Sequence, residues 1–87
     1  MASEVKELER LLKAFANRRR INIVRYLKNN KEASVGDMAS EIKLSFKATS
    51  KHLGILAAAN VLDREQRGLL MLYRIDDDLS IIAKRLL

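Results

Sequence analysis

The sequence contains no cysteine and no proline, and it has three glycines and one histidine in 87 residues. Without cysteine, disulfides and thiolate metal sites are both excluded. A zinc site would need carboxylates or a second chain, because His52 is the only imidazole. We therefore expect no metal and no other cofactor, and no metal or small-molecule effector is evident.

Long apolar runs are also missing, since no stretch approaches the ~20 residues that a membrane-spanning helix needs. The first residues lack the basic segment and apolar run of a signal peptide. A chain of this size makes one small domain, residues 1–87, whose single core is marginal. We expect a cytoplasmic protein without membrane contact, stabilised by a second copy of itself.

Acidic residues are absent from two stretches, 10–31 and 42–62. Because the net charge is +6, these stretches carry most of the positive field. In the second stretch, Lys43, Lys47 and Lys51 recur every four residues, which places them on one helix face. Such a face suits a polyanion, and double-stranded DNA is the partner that we expect. A solvated surface with surplus basic residues is the alternative.

Apolar residues recur at helical spacing through the first two-thirds of the chain, and capping residues separate the segments. Asn17, Ser34 and Ser45 are the expected N-caps. Asn29-Asn30 and Asn60 are the expected left-handed helix ends. The predicted helices cover about 3–15, 18–30, 35–42 and 46–59, with a short extended segment at 32–35.

After Asn60 the apolar period changes from about 3.6 to about 2. Two extended runs, 61–66 and 69–75, flank Arg67-Gly68, which is a hairpin signal. A last apolar helix is predicted at 77–87. A short third helix, a tight turn and a longer fourth helix make a helix-turn-helix at about 34–59, and the hairpin at about 61–75 adds a wing. The predicted fold is mainly α with a small β-hairpin: a winged helix-turn-helix of five helices, with the wing between the fourth and fifth.

The fourth helix, drawn at about 100° per residue, has an inner and an outer side. The inner side comprises Ala48, Thr49, His52, Leu53, Ile55, Leu56 and Ala59. The outer side presents Lys47, Ser50 and Lys51 to a DNA groove, and Gly54 permits close backbone approach. Phe46 lies at the boundary, where it either touches a thymine methyl or covers the turn.

The other candidate DNA contacts come from three places. The free amides after Ser45 can bind phosphate. Arg67 at the hairpin tip can reach the backbone or the minor groove, although Asp63 and Glu65 on the same hairpin would repel phosphate. At least one of residues 18–20 contacts phosphate or a neighbouring carboxylate. The complete predicted set is Ser45, Phe46, Lys47, Ser50, Lys51, His52, Arg64, Arg67 and Arg19.

The first and last helices, about 3–15 and 77–87, carry more apolar residues than one small core would bury. We expect them to form a dimer interface, and the alternative is that both cover the back of the monomer. The predicted interface residues are Val5, Leu8, Leu12, Leu79, Ile82 and Leu86. A two-fold axis would present two recognition helices about 34 Å apart, which matches a palindromic site.

The order of these motifs resembles the ArsR/SmtB family of winged-helix repressors. Residues 12–21 (LKAFANRRRI) are similar to the family's leucine-x-alanine-leucine-alanine-asparagine-proline-x-arginine opening. Residues 34–39 (SVGDMA) resemble the start of its third helix. Residues 44–56 resemble its serine-x-x-x-x-serine-x-histidine-leucine-x-x-leucine recognition helix. Further matches, at 59–62, 67–68 and 73–75, extend the likeness to about residues 8–76.

The resemblance implies a homodimeric transcriptional repressor that dimerises through its first and last helices. The helical angle of His52 favours a ring that is packed inside and hydrogen-bonded. The resemblance also keeps open the alternative that His52 contacts DNA. Two departures argue against a metal sensor of the known types. Ser34 and Gly36 stand where some members have cysteines, and residues 76–78 are aspartates without the accompanying histidine. Arg18 replaces the usual proline at a tolerant first helical position.

Three classes of function compete for this chain. The leading one is a sequence-specific DNA-binding regulator, a repressor that binds a palindromic operator as a homodimer. The alternative is a winged-helix module for protein contact in a larger transcription complex. An enzyme is not expected, because the sequence offers no nucleophile paired with a base, no glycine-rich phosphate loop and no ligand cluster.

Overall fold

The computed structural model describes residues 2–79 and residue 85. This part of the chain forms, in order, α1 (Ala2–Phe15), α2 (Arg18–Asn30), β1 (Glu32–Ser34), α3 (Val35–Ile42), α4 (Phe46–Ala58), β2 (Leu62–Arg67) and β3 (Leu70–Ile75). The winged helix-turn-helix is confirmed, but the described residues hold four helices rather than the five predicted. The predicted last helix, 77–87, falls outside them except at 77–79 and 85.

The predicted N-caps are confirmed by their hydrogen bonds. Asn17 accepts from the amides of Arg19 and Arg20 at 3.0 and 3.2 Å, and so opens α2. Ser34 and Asp37 form a capping box at the start of α3. These side chains satisfy amides that have no partner inside their own helix, so the boundaries are set locally.

The helix ends follow the prediction at one place and depart from it at another. Asn60 has a φ of +60°, as predicted, and it closes α4 with the Val61 amide donating to the Leu56 carbonyl at 3.0 Å. For α2 the predicted end at Asn30 is confirmed, but the residue with a positive φ is Lys31, at +61°, and not an asparagine. The strand β1 follows at once and requires the chain to turn there.

The three strands form one antiparallel sheet in the order β1-β3-β2. The hairpin of β2 and β3 pairs Arg67 with Leu70, so its loop is only Gly68 and Leu69. Gly68 has a φ of +62°, which suits the first position of a type II′ turn. The sequence predicted the hairpin and an extended segment at 32–35, but not that β1 would add a third strand by pairing Ala33 with Tyr73.

The core lies where the helices meet the sheet. Its fully buried members come from α2, α3, α4 and the start of the wing: Ile23, Val24, Leu27, Met38, Leu53, Leu56 and Val61. Each buried aliphatic side chain contributes roughly 1.5–3 kcal/mol to folding. The core therefore holds α4 and the base of the wing in one rigid arrangement.

Candidate nucleic-acid interface

A tight turn presents the N-terminus of α4 on the surface. Lys43 adopts a left-handed conformation with a φ of +55° after α3. The Lys43 amide donates to the Ser40 carbonyl at 3.3 Å, and the Leu44 amide donates to the Ala39 carbonyl at 3.0 Å. This is the hydrogen-bond pattern of a Schellman motif, which ends a helix sharply. Ser45 then begins α4 by accepting from the Ala48 amide at 3.1 Å.

The two sides of α4 differ as the helical angles predict. Thr49, Leu53 and Leu56 are buried. The Thr49 hydroxyl donates to the Ser45 carbonyl at 2.8 Å, so this buried polar group is satisfied. The outer side, which we call the outer face, consists of the exposed residues Lys47, Ser50, Lys51 and Gly54.

One inner residue of α4 was assigned wrongly. Ile55 is 38% exposed and belongs to the boundary, not to the core. It lines an open cleft between α1 and α4 together with Ala58 and Ala59. The helical angle alone could not reveal this, because burial there depends on how closely α1 approaches.

The first turn of α4 leaves donors for an anion. The Ala48 amide donates to the Ser45 hydroxyl. The amides of Phe46 and Lys47, in the same turn, have no hydrogen-bond partner among the described residues. Phe46 is 64% exposed, so it is accessible to a thymine methyl of a bound duplex.

Lys47 and Lys51 form no ion pair with any carboxylate in the part of the chain that the structure describes. Their positive charges are therefore not neutralised from within this part of the chain. An exposed helix face with two uncompensated cations and small neighbours such as Ser50 and Gly54 is suited to phosphates and base edges.

His52 is half-buried and faces away from the outer face. Its Nδ1 lies 3.2 Å from Nη1 of Arg20 on α2. Burial, together with the nearby cations of Arg20, Arg19 and Lys51, lowers the pKa of His52 below its ordinary value. The ring is thus neutral near pH 7 and can accept a hydrogen bond from the arginine, which agrees with the packed interpretation.

The positive charges of the wing are mostly paired with acids. Arg67 donates to both carboxylate oxygens of Glu32 on β1, at 3.0 and 3.2 Å, and to Glu65 at 3.3 Å. Arg74 bridges Asp63 and Glu65 at 3.1 and 3.2 Å. The hydrogen bonds and charges of the two arginines lower the pKa of Glu65. Asp63 and Glu65 therefore neutralise wing arginines, where the sequence had suggested only that they repel phosphate.

Two predicted arginines are exposed and carry no ion pair among the described residues. Arg64 lies on β2 beside the paired arginines, and Arg19 lies at the start of α2. Both remain candidates for phosphate contact. The sequence missed Glu32 and the specific part played by Arg20, because their partners are 35 and 32 residues away along the chain and no local spacing signals them.

The predicted dimer residues divide into three groups. Val5, Leu8 and Leu12 are 67%, 55% and 59% exposed and form a stripe along α1, the α1 stripe. Leu79 is buried in the core of its own chain. Ile82 and Leu86 lie outside the described residues. The α1 stripe is an apolar surface that this chain does not cover with any described residue of its own.

The described residues contain no group of three or more histidine, cysteine, aspartate or glutamate side chains that could hold a metal ion. No helix in the described ranges has the length and apolar character required to cross a membrane.

Comparisons with known proteins agree with this architecture. The sequence profile of the bacterial regulatory proteins of the arsR family matches residues 17–64, from the start of α2 into the wing. No curated protein sequence matches the chain. The structure is similar to HlyU from Vibrio cholerae, with 31% sequence identity, a TM-score of 0.81, and coverage of 99% of this chain and 89% of that one.

Two further solved structures are similar over the same extent. The transcriptional repressor PagR of Bacillus anthracis shares 28% identity with a TM-score of 0.84, and the alignment covers 100% of both chains. A homodimeric winged helix-turn-helix DNA-binding domain from Mycobacterium bovis shares 26% identity with a TM-score of 0.84, over 98% of this chain and 75% of that one. On the profile match, the identity and the shared fold, this chain belongs to the arsR family of bacterial regulatory proteins and is a winged-helix transcriptional regulator.

Proposed function

We propose that this regulator is a repressor, and that it binds a palindromic DNA operator as a homodimer. The observation that carries the proposal is the outer face of α4, where Lys47 and Lys51 are exposed and have no carboxylate partner among the described residues. Such a helix fits the major groove, which is wide enough to admit it. A protein that binds the chromosome works in the cytoplasm, and we expect this one there.

In the proposed complex, the side chains of the outer face and of its surroundings have definite roles. Lys47 and Lys51 contact guanine edges or phosphates, and Ser50 bonds a phosphate or a base edge. Phe46 contacts a thymine methyl. Arg64 and Arg19 contact phosphates at the margins of the site, and Arg67 does so only after it leaves its carboxylate partners.

The dimer is supported by the α1 stripe and by the homodimeric state of the Mycobacterium bovis relative. Two chains joined through α1 would each present one α4 to the same side of the duplex. Half-sites about 34 Å apart would then be read on one face of the DNA. Repression is supported by the likeness to PagR, which is a transcriptional repressor.

The proposal is tested by selecting bound duplexes from random DNA and then measuring affinity against salt concentration. We expect an inverted repeat and a steep loss of affinity as salt rises, because each neutralised phosphate adds ~0.9 to the slope of log K against log salt. Lys47→Ala and Lys51→Ala should each weaken binding by about tenfold or more if the lysine reads a base. Lys28→Ala removes one positive charge from α2 outside the proposed interface and serves as the control.

Two results would contradict the proposal. Purified protein that binds no duplex at low salt would exclude DNA as the partner. Full affinity in both lysine variants would show that α4 is not the reading element, even if DNA is bound through another surface.

A protein partner is the second candidate, and the tip of the wing favours it. Leu69 is fully exposed and Leu70 is 56% exposed, so the tip presents apolar surface. Exposed apolar residues next to each other are more typical of protein contact than of phosphate contact. The test is the Leu69→Ser variant. If it keeps the DNA affinity but loses regulation in a reconstituted transcription assay, this candidate is supported. If it loses DNA affinity, the tip of the wing lies against the duplex.

A further inference from the structure

One side chain joins three helices in this fold. Arg20, in the first turn of α2, donates from Nε to the Ala14 carbonyl at 2.7 Å and from Nη2 to the Lys13 carbonyl at 3.2 Å. Its Nη1 lies 3.2 Å from Nδ1 of His52 on α4. Arg20 therefore contacts the end of α1 and the middle of α4 at the same time.

The α1 side of this contact has a clear chemical reason. The last carbonyls of a helix have no amide partner within the helix, and arginine donors near the C-terminus can satisfy them. Ala14 is 1% exposed, so its carbonyl lies beside the core, where an unpaired acceptor would be destabilising. The fork of the guanidinium can bond two successive carbonyls and still direct a third donor elsewhere.

The α4 side fixes the protonation state of His52. A guanidinium has only donors, so Nδ1 of His52 must accept, and the ring proton must then lie on Nε2. A protonated ring would lose this hydrogen bond and would face the positive charges of Arg20 and Arg19 on α2 and of Lys51 on α4. The contact thus requires a neutral histidine.

Direct packing between α1 and α4 is sparse. α1 packs mainly on α2, while α4 packs on α2, α3 and β2. An open cleft of about 530 Å³ lies between α1 and α4, and Arg20 lines it beside Lys13, Ala14 and Ile55. Arg20 is therefore the polar bridge between two helices that are otherwise separated by a gap.

We infer that Arg20 is a positioning residue: through His52 it fixes α4 relative to α1, and so fixes where the outer face meets DNA. This inference rests on the proposed function, in which α1 joins the two chains and α4 reads the groove. His52 is adjacent to Lys51, so a rotation of α4 about its axis moves both. In a dimer held through α1, the bridge also sets the separation of the two recognition helices.

The test is a double-mutant cycle on DNA affinity. His52→Leu removes the acceptor but leaves the α1 carbonyls bonded to Arg20. We expect it to weaken binding about tenfold, the scale of coupling between contacting residues, without changing the salt slope, because no phosphate contact is lost. His52→Gln keeps a side-chain oxygen that can accept from Arg20 and should restore most of the affinity. Combining His52→Leu with Arg20→Met should give no further loss beyond Arg20→Met alone.

Controls separate positioning from folding and from charge. Arg25→Met removes one positive charge from an exposed position on α2 and should leave the affinity nearly unchanged. Circular dichroism and thermal unfolding establish which variants are folded at the assay temperature. If Arg20→Met does not fold, the comparison of His52→Leu with His52→Gln decides the question.

The outcomes distinguish this inference from the proposed function. Wild-type affinity in His52→Leu would mean that Arg20 only caps α1, and would overturn the inference while leaving DNA binding intact. Additive losses, or a lower salt slope in His52→Leu, would mean that His52 contacts DNA itself and would also overturn it. Wild-type protein that binds no duplex would instead remove the proposed function.

Discussion

Gly54 is a helical residue whose identity the described fold does not explain. It lies on the exposed side of α4, and an added Cβ there would meet no atom within 4 Å. Nothing within the described fold therefore requires glycine, although glycine destabilises a helix interior by roughly 0.5–1 kcal/mol relative to alanine. A close approach of the duplex to the backbone at Gly54 would explain why this position has no side chain.

We expect Gly54→Ala to raise the free energy of unfolding by about 0.5–1 kcal/mol and to weaken DNA binding. Urea denaturation and a binding titration measure the two effects. Gly36→Ala is the matched control, because Gly36 is an exposed helical glycine in α3 whose added Cβ would meet only the Ser34 hydroxyl at 3.9 Å. The control should be stabilised without losing affinity. Equal affinity in both variants would show that DNA does not approach α4 closely at Gly54.

His52 gives a pH dependence whose sign follows from its surroundings. Burial and the cations of Arg20, Arg19 and Lys51 lower the pKa of His52 in the folded chain. As pH falls below about 6.5, the unfolded chain takes up the proton first. The free energy of unfolding should therefore decrease from that pH downward, until the lowered pKa of the folded state is passed and both states carry the proton.

Urea denaturation of the wild type and of His52→Gln between pH 7.5 and pH 5 measures this effect, since the carboxylates contribute equally to both proteins. The stability of the wild type relative to the variant should decline with acidification. Parallel pH profiles would show that the folded and unfolded chains bind the His52 proton equally well.

At the scale of elements, α4 and the wing present very different electrostatic surfaces. Lys47 and Lys51 of α4 have no carboxylate partner among the described residues, whereas Arg67 and Arg74 of the wing are held by Glu32, Glu65 and Asp63. Exposed ion pairs contribute little to stability and can be exchanged for other partners. For Arg67 to bind a phosphate, it must leave Glu32, so in the proposed complex Glu32 on β1 would compete with DNA for Arg67.

We expect Glu32→Gln to strengthen DNA binding severalfold and to increase the salt slope by up to ~0.9, the contribution of one more phosphate contact. Filter binding or fluorescence anisotropy at several salt concentrations measures both quantities. Glu41→Gln, which removes an exposed negative charge from α3, controls for the change in net charge. A Glu32→Gln protein with the affinity and slope of that control would show that Arg67 does not reach the duplex.

The elements also show what local sequence can predict. The capping residues Asn17, Ser34 and Ser45 were identified correctly because each satisfies amides within three residues of itself. The left-handed end at Asn60 was predicted for the same reason. The end of α2 at Asn30 was also predicted, but the positive φ of Lys31 was not; β1 begins at the next residue and pairs with the distant β3.

At the scale of the whole molecule, the α1 stripe is an apolar surface that the described residues leave uncovered. Val5, Leu8 and Leu12 are exposed, while Leu79 is buried in the chain's own core. Substitution of Leu79 would therefore disturb folding as well as association. The α1 residues are the better probes of a dimer, because they can be changed without opening the core.

We expect Leu8→Glu and Leu12→Glu to yield folded monomers that bind a palindromic site far more weakly, since each loses about 1.5–3 kcal/mol of apolar burial per protomer and adds a charge to the interface. Sedimentation velocity and a binding titration measure the two effects. Lys6→Glu introduces the same side chain on α1 away from the stripe and should remain dimeric. A Leu8→Glu protein that still sediments as a dimer would place the interface elsewhere.

The sequence by itself determined the four helices of the described residues, the N-caps of α2, α3 and α4, the hairpin and the exposed face of α4, because each depends on residues a few positions apart. The tertiary structure decided which charged side chains are paired with each other within the described residues and which can bind a partner. Arg67 is paired with Glu32 across 35 residues, and Arg20 with His52 across 32, so neither pair leaves a periodic signal. Periodicity tells which side of a helix is apolar, but the partner of a long polar side chain depends on which elements the core brings within reach.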